Sequence, residues 1–153
     1  MRLLMTLAAL SITALAADNS LGSWKRDVAK TKSNPPATNP IKSLTMIREA
    51  NGPDGAKVTN KGIREDGAPA GWTYTVKYDG KEYPVSGDAP FDLMSWKQVD
   101  ANTFTTTARK KDGKYKTTGR AVVSKDGKTF TLTTKGTNAE GQPLTQTLVY
   151  EKQ

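Results

Sequence analysis

Residues 72–80 read WTYTVKYDG, a run in which aromatic or aliphatic side chains alternate with threonine or lysine. A period of two residues is typical of a β-strand with one buried face and one solvent-facing side. The residues that share the apolar face are Trp72, Tyr74, Val76 and Tyr78. The Asp79-Gly80 pair that follows is a hairpin signal, because glycine accepts the positive φ of a tight turn. The stretch therefore predicts one antiparallel strand and the turn that leaves it.

The same pattern extends over nearly the whole chain after residue 21. Segments rich in Thr, Val, Tyr and Phe, which suit pleated sheets, are separated by turn signals that contain glycine. The predicted strands are Gly22–Val28, Ile41–Glu49, Lys57–Ile63, Trp72–Tyr78, Lys81–Val85, Leu93–Val99, Thr103–Lys110, Lys114–Ser124, Thr129–Lys135 and Leu144–Glu151. We expect an all-β fold, a single up-and-down antiparallel meander barrel of about ten strands with no substantial helix in the mature chain.

The expected inner faces are not wholly apolar. Thr134 follows Phe130 and Leu132 on one of them, and Gln146 lies between Leu144 and Leu148 on another. The interior is therefore partly polar, or the barrel is flattened and filled mainly by aromatic side chains. The proline-rich segment Ala29–Pro40 predicts an extended connection across one end of the barrel.

The first seventeen residues have the parts of a secretory signal peptide. A basic start at Arg2 precedes a short apolar run and a small-x-small site at residues 14–16. The alternative is an N-terminal core helix of a cytosolic protein. The run is too short to span a bilayer comfortably, so we expect no membrane span. Residues 1–17 are thus predicted to be a signal peptide and residues 18–153 a barrel domain, exported to a periplasm or secreted.

Composition excludes several kinds of chemistry. The chain of 153 residues holds no cysteine and no histidine, which removes disulfides, Cys/His zinc sites and histidine-based triads. Most acids stand in predicted turns, where aspartate serves turn geometry. No phosphate loop, nucleophile elbow or calcium loop is present in the sequence. We therefore expect neither an enzyme nor a cofactor.

The formal net charge is +8, but the basic residues are dispersed. The one local cluster, Arg109–Lys111 with Lys114 and Lys116, contains a single aromatic, Tyr115, and is typical of a solvated hairpin tip. We expect a monomer that does not bind nucleic acid. The excess positive charge would allow weak contact with anionic envelope surfaces or acidic polysaccharides.

The stretch LGSWK at residues 21–25 resembles the Gly-x-Trp opening of lipocalins and related calycin barrels. With the strand pattern, the chain is similar to bacterial exported lipocalin-like or fatty-acid-binding-protein-like domains. The resemblance implies that Trp24 plugs one end of the barrel and that a late arginine packs across it, for which Arg120 is the late candidate. The sequence departs from the family in having no helix pair after the first strand and no helix after the last.

A small closed barrel either fills with side chains or holds one small molecule. The resemblance implies a small, largely apolar ligand, and the candidate ligand-binding residues are Trp72, Tyr74, Trp96, Phe104, Arg120 and Phe130. An inward-facing Arg48, Arg64 or Arg120 would need an acid or a ligand carboxylate as its partner. Two alternatives stay open: a structural or envelope-interaction protein with a filled barrel, and an uncharacterised barrel hydrolase or isomerase.

Overall fold

A computed structural model describes residues 17–153, in which every regular element is a β-strand. The strands are β1 (Gly22–Arg26), β2 (Lys32–Asn34), β3 (Ile41–Ala50), β4 (Gly55–Arg64), β5 (Pro69–Lys77), β6 (Tyr83–Gly87), β7 (Leu93–Asp100), β8 (Thr103–Arg109), β9 (Lys116–Val123), β10 (Thr129–Thr137) and β11 (Pro143–Lys152). None of the described residues forms a helix long and apolar enough to cross a membrane. The predicted signal peptide falls almost entirely outside the described residues and stays a prediction.

The strands form one antiparallel sheet that closes on itself. Each strand from β3 to β11 pairs with the next along the chain, and β1 joins the two ends. Within β1, Trp24 lies opposite Met46 of β3 on one side and opposite Lys152 of β11 on the other. This arrangement is a closed ten-stranded meander with one extra strand, which confirms the predicted fold class.

The extra strand, β2, lies in the segment expected to be an extended connection. A turn, in which the Thr31 amide donates to the Asp27 carbonyl at 3.0 Å, separates β1 from β2. Both strands run antiparallel to β11, but only β1 also pairs with β3. The first residues of β3 consequently have a strand partner on the β4 side alone, and the barrel wall is broken between β2 and the start of β3.

The two ends of the barrel differ. The end at residues 17–21, here called the closed end, also holds the β3–β4, β7–β8 and β9–β10 turns; the opposite end is called the open end. Trp24 is fully buried at the closed end, and its indole nitrogen donates to the Ser20 carbonyl at 2.9 Å. Its ring packs against Phe130, with 5.4 Å between the ring centroids. Trp24 therefore lies where the family resemblance implied.

A late cation packs across Trp24, but it is Lys152. The Lys152 Nζ atom lies 4.5 Å from the centroid of the Trp24 ring and donates to the Leu21 carbonyl at 2.5 Å. The lysine side chain crosses Gly22, whose φ is +124°, and a Cβ atom there would collide with the lysine ammonium group. The glycine of the Gly-x-Trp stretch thus leaves room for the cation that covers the tryptophan.

Gly22→Ala should destabilise the protein through both its φ angle and Lys152. A positive φ costs a residue other than glycine about 1–3 kcal/mol. In a Lys152→Ala background, where the collision is gone, we expect the loss caused by Gly22→Ala to shrink by about 1 kcal/mol, well above the ~0.3–0.5 kcal/mol scatter of additive pairs. Urea unfolding of the two single variants and the double variant measures this coupling.

Gly67→Ala is the matched control. Gly67 also has a positive φ, +82°, but no heavy atom lies within 4 Å of a Cβ built there. The stability lost through Gly67→Ala should be the same in the wild type and in the Lys152→Ala background. If Gly22→Ala and Lys152→Ala prove additive, Gly22 does not make room for the lysine.

Candidate functional site

A buried arginine forms the floor of the barrel interior at the closed end. Arg48 follows Leu44 and Met46 on the inner face of β3 and is only 1% exposed. Its guanidinium carbon lies 4.3 Å from the Trp96 ring centroid. Its Nε donates to the Ser20 hydroxyl at 3.1 Å, and its Nη2 donates to the Tyr78 hydroxyl at 3.3 Å.

The negative charge that balances Arg48 comes through these two hydroxyl groups. The Ser20 hydroxyl donates to Asp18 Oδ1 at 2.5 Å, and the Tyr78 hydroxyl donates to Asp18 Oδ2. A buried cation is costly unless it is hydrogen-bonded and electrostatically compensated. The network therefore holds the first described residues of the chain against the barrel, although the Nη1 atom of Arg48 is buried without a hydrogen-bond acceptor.

Phe104 belongs to this floor. It is fully buried, with ring centroids 5.6 Å from Trp96 and 5.0 Å from Tyr78. It does not reach the cavity described next. The structure thus places Phe104 below the cavity, where the sequence analysis expected a lining residue.

A cavity of about 80 Å³ lies above the floor, inside the barrel. Much of its wall is aromatic or aliphatic, and this part includes Trp72, Tyr74, Trp96, Phe130, Leu132 and Leu148. The first four are among the candidate ligand-binding residues of the sequence analysis, and their role in binding stays a prediction. Asn60, Thr134 and Gln146 add amide and hydroxyl groups, which confirms that the interior is partly polar.

Two aromatic rings cover the cavity towards the open end. Phe91 and Tyr115 pack with 5.7 Å between their ring centroids, beside Ala108 and Leu144. Burial raises the pKa of Tyr115, so its hydroxyl stays neutral at physiological pH. The cavity is therefore bounded by aromatic side chains at both ends.

Arg26 is the one charged residue among the described residues that line the cavity. Its Nη2 donates to the Tyr150 hydroxyl at 2.5 Å, and its guanidinium carbon lies 5.1 Å from the Tyr150 ring centroid. Its Nε is buried without a hydrogen-bond acceptor, and no carboxylate within residues 17–153 forms an ion pair with it. The sequence analysis did not weigh Arg26, although it stands two residues after Trp24 and thus on the same face of β1.

The arginines considered from sequence point in different directions. Arg120 is exposed on the outer surface, because the inward positions of β9 are taken by Thr117, Gly119 and Ala121. The interior position expected of Arg120 is therefore not observed. Arg64 is also outside, where its Nη2 pairs with Asp88 at 2.9 Å. Of the three arginines named from sequence, only Arg48 points inward.

The tyrosines around Arg48 are held in their neutral form. Burial raises the pKa of Tyr74 to about 12, against the opposing effect of the nearby Arg48 charge. Burial likewise raises the pKa of Tyr78 to about 12, and its hydrogen bond to Asp18 acts in the same direction. Neither phenol can serve as a base near neutral pH.

Comparisons with known proteins support the fold. No family model and no curated protein matches the chain. A redesigned β-barrel, b11L5F_LGL, is 14% identical with a TM-score of 0.53, and the match covers 92% of this chain and 97% of that one. EF1p2_mFAP2b bound to DFHBI, a further match, is 10% identical with a TM-score of 0.48, covering 88% and 94%. The first of these supports a β-barrel fold over nearly the whole chain.

The raised tyrosine pKa values predict a loss of stability at high pH. The neutral phenol is favoured in the folded state, so its contribution is complete below the ordinary pKa of 10.0 and is lost as the pH rises towards 12. In this pH window the unfolding free energy of Tyr74→Phe should fall less steeply with pH than that of the wild type, by up to about 1.4 kcal/mol per pH unit. Urea unfolding at a series of pH values measures the slope.

Between pH 7 and 9 the curves of wild type and Tyr74→Phe should run parallel, which provides the internal control. Equal slopes above pH 10 would show that Tyr74 does not titrate with a raised pKa in the folded barrel.

Proposed function

We propose that the protein is an exported, non-catalytic barrel that binds a small, largely apolar carboxylate in its interior. The observation that carries the proposal is the guanidinium group of Arg26, which faces a mainly apolar cavity without an acid partner. The resemblance to calycin barrels favours an interior ligand, and the positive charge of Arg26 favours a negatively charged group on that ligand.

Arg26 is half-buried, and its inaccessible Nε atom lacks a partner. The Tyr150 hydroxyl accepts one hydrogen bond from it, no carboxylate within residues 17–153 pairs with it, and Nε has no acceptor. A carboxylate accepts two parallel hydrogen bonds from a guanidinium group, and such charge-assisted bonds are roughly twice as strong as neutral ones. A carboxylate at this point would satisfy Nε and compensate the charge together.

The rest of the wall suits the apolar part of such a ligand. Trp72, Leu132 and Leu148 offer aromatic and aliphatic surface, while Asn60 and Gln146 add polar groups that could fix its orientation. Ligand pockets commonly combine such a wall with a few polar groups.

The size of the cavity limits the ligand. A volume of 80 Å³ is well below the ~300–1,000 Å³ of ordinary ligand pockets. A ligand of more than a few heavy atoms would have to displace the Phe91–Tyr115 pair. The break in the wall between β2 and β3 offers a second path of entry.

The lining supports binding without catalysis. Among the described residues it holds no aspartate, glutamate or lysine that could serve as a general acid or base.

For export, the support is the signal-like N-terminus together with the contacts of the residues that follow it. Gln98 Nε2 donates to the Ala17 carbonyl at 2.8 Å, and Asp18 and Ser20 hold Arg48. Cleavage on either side of Ala17 would leave the Asp18–Ser20 network on the mature chain.

The small cavity also favours one alternative, a structural barrel whose interior is simply filled. The two functions differ in a measurable way. A filled barrel gains nothing from a carboxylate, whereas the proposed binder discriminates between an acid and an alcohol of equal chain length.

Hexanoate and hexan-1-ol form a matched pair of probes. Calorimetric titration, with the fluorescence of Trp72 and Trp96 as a second readout, should show hexanoate binding about tenfold or more tightly, a difference of about 1.4 kcal/mol. Arg26→Met keeps an unbranched apolar side chain and should remove this preference. Lys61→Gln, an exposed change on β4, is the control and should leave it intact.

Failure to bind either probe, with an unaltered thermal unfolding curve, would favour the filled barrel. An equal preference for hexanoate in Arg26→Met would place the carboxylate elsewhere.

A further inference from the structure

The outer surface carries a second concave region, which shares Thr106, Thr134 and Gln146 with the lining of the interior cavity. Strands β7 to β11, together with β2, form an open groove of about 1770 Å³. Threonine is the commonest residue type along it, and the threonines that point outward are Thr105, Thr107, Thr118, Thr131, Thr133, Thr145 and Thr147. We call this region the threonine groove.

Cations recur across the threonine groove in a row set by strand pairing. The paired residues, in order around the barrel, are Lys97, Thr105, Arg120, Thr133, Thr147 and Lys32. Neighbouring strands are ~4.8 Å apart, so Lys97 and Arg120 are separated by about 10 Å and Arg120 and Lys32 by about 14 Å. Lys135 lies in the adjacent row, opposite Thr118 and Thr145.

These four cations form no salt bridge with the described part of the protein. Lys32, Lys97, Arg120 and Lys135 form no ion pair within residues 17–153, and no aspartate or glutamate lines the groove. Acids at its margins offset part of this charge: the Asn102 amide and the Arg120 charge both lower the pKa of Asp100, and Asp79 lies opposite Lys97 in an isolated β-bridge. Glu151 lies 3.4 Å from Lys30, and Asp79 accepts the Tyr83 hydroxyl at 2.8 Å. The groove is therefore a surface of positive potential lined by hydroxyl groups.

We propose that the threonine groove binds an acidic polysaccharide. Spaced cations match a chain that carries carboxylates or sulfates at intervals, because regularly placed opposite charges strengthen association without a deep pocket. The threonine hydroxyls donate and accept hydrogen bonds, as sugar hydroxyls do. The open shape of the groove suits an extended polymer.

The lining favours a polysaccharide over a nucleic acid. Surfaces for single-stranded nucleic acid combine positive charge with aromatic side chains on which bases stack. No aromatic residue lines the threonine groove within the described part of the chain. The groove lies on the outer side of the barrel wall, whereas Arg26 faces the interior. The proposal for the groove therefore does not depend on the proposal for an interior ligand.

Binding of polygalacturonate tests the proposal, with dextran as the uncharged polymer. At a physiological ionic strength of about 0.15 M we expect polygalacturonate to bind and dextran not to bind. Lys97→Gln/Arg120→Gln should weaken its binding about 25-fold, since each basic group near an anionic surface contributes on the order of a factor of five. Calorimetry or affinity electrophoresis measures the change.

Lys61→Gln/Lys77→Gln removes the same charge from exposed positions on β4 and β5 and should alter the affinity less than twofold. Equal weakening by both double variants would mean that net charge, and not the groove, causes binding. No binding of polygalacturonate at this salt concentration would overturn the proposal. Tighter, groove-dependent binding of a single-stranded oligonucleotide or a DNA duplex would replace it with a nucleic-acid surface.

Discussion

Barrel closure depends on the five residues of β1, which pair with β3 on one side and β11 on the other. Trp24, at the centre of β1, is packed against Phe130 within and covered by Lys152. The sequence has no cysteine, so no disulfide bond can hold the barrel closed in place of β1. The same closure fixes β11, whose inner face brings Tyr150 to Arg26 and whose outer face brings Thr145 and Thr147 to the threonine groove.

Local pattern was enough to predict most of the fold. All ten predicted strands overlap observed ones, because period-two burial and glycine turns are short-range properties. Gly80 and Gly127, each in a predicted Asp-Gly turn, have φ values of +76° and +74°. The strand that sequence reasoning missed is β2, three polar residues that pair only with β11. Its existence depends on a distant strand and leaves no local pattern.

The interior was harder to predict than the strands. Alternation placed Trp72 and Tyr74 on the inner face, and the same rule applied from Trp24 and Met46 would have placed Arg26 and Arg48 there. The positive charge of arginine speaks against an inward position, since arginine is seldom buried without a partner. The outward orientation of Arg120 was hard to predict for a different reason. The residues on either side of it, a glycine and an alanine, point inward but are small and give a weak apolar signal. The threonine groove arises from sheet curvature and strand register, which no single strand shows.

The pairing of Trp24 with Lys152 also has a kinetic consequence. Nearly the full length of the described chain lies between these partners. The entropic cost of closing this long loop must therefore be overcome before their hydrogen bonds form. Neighbouring hairpins can assemble early, but the ring of strands is completed only when the last one arrives. Until then two unpaired edges face outward and can join strands of other molecules. Slow maturation and a need for protection against self-association follow from the topology itself.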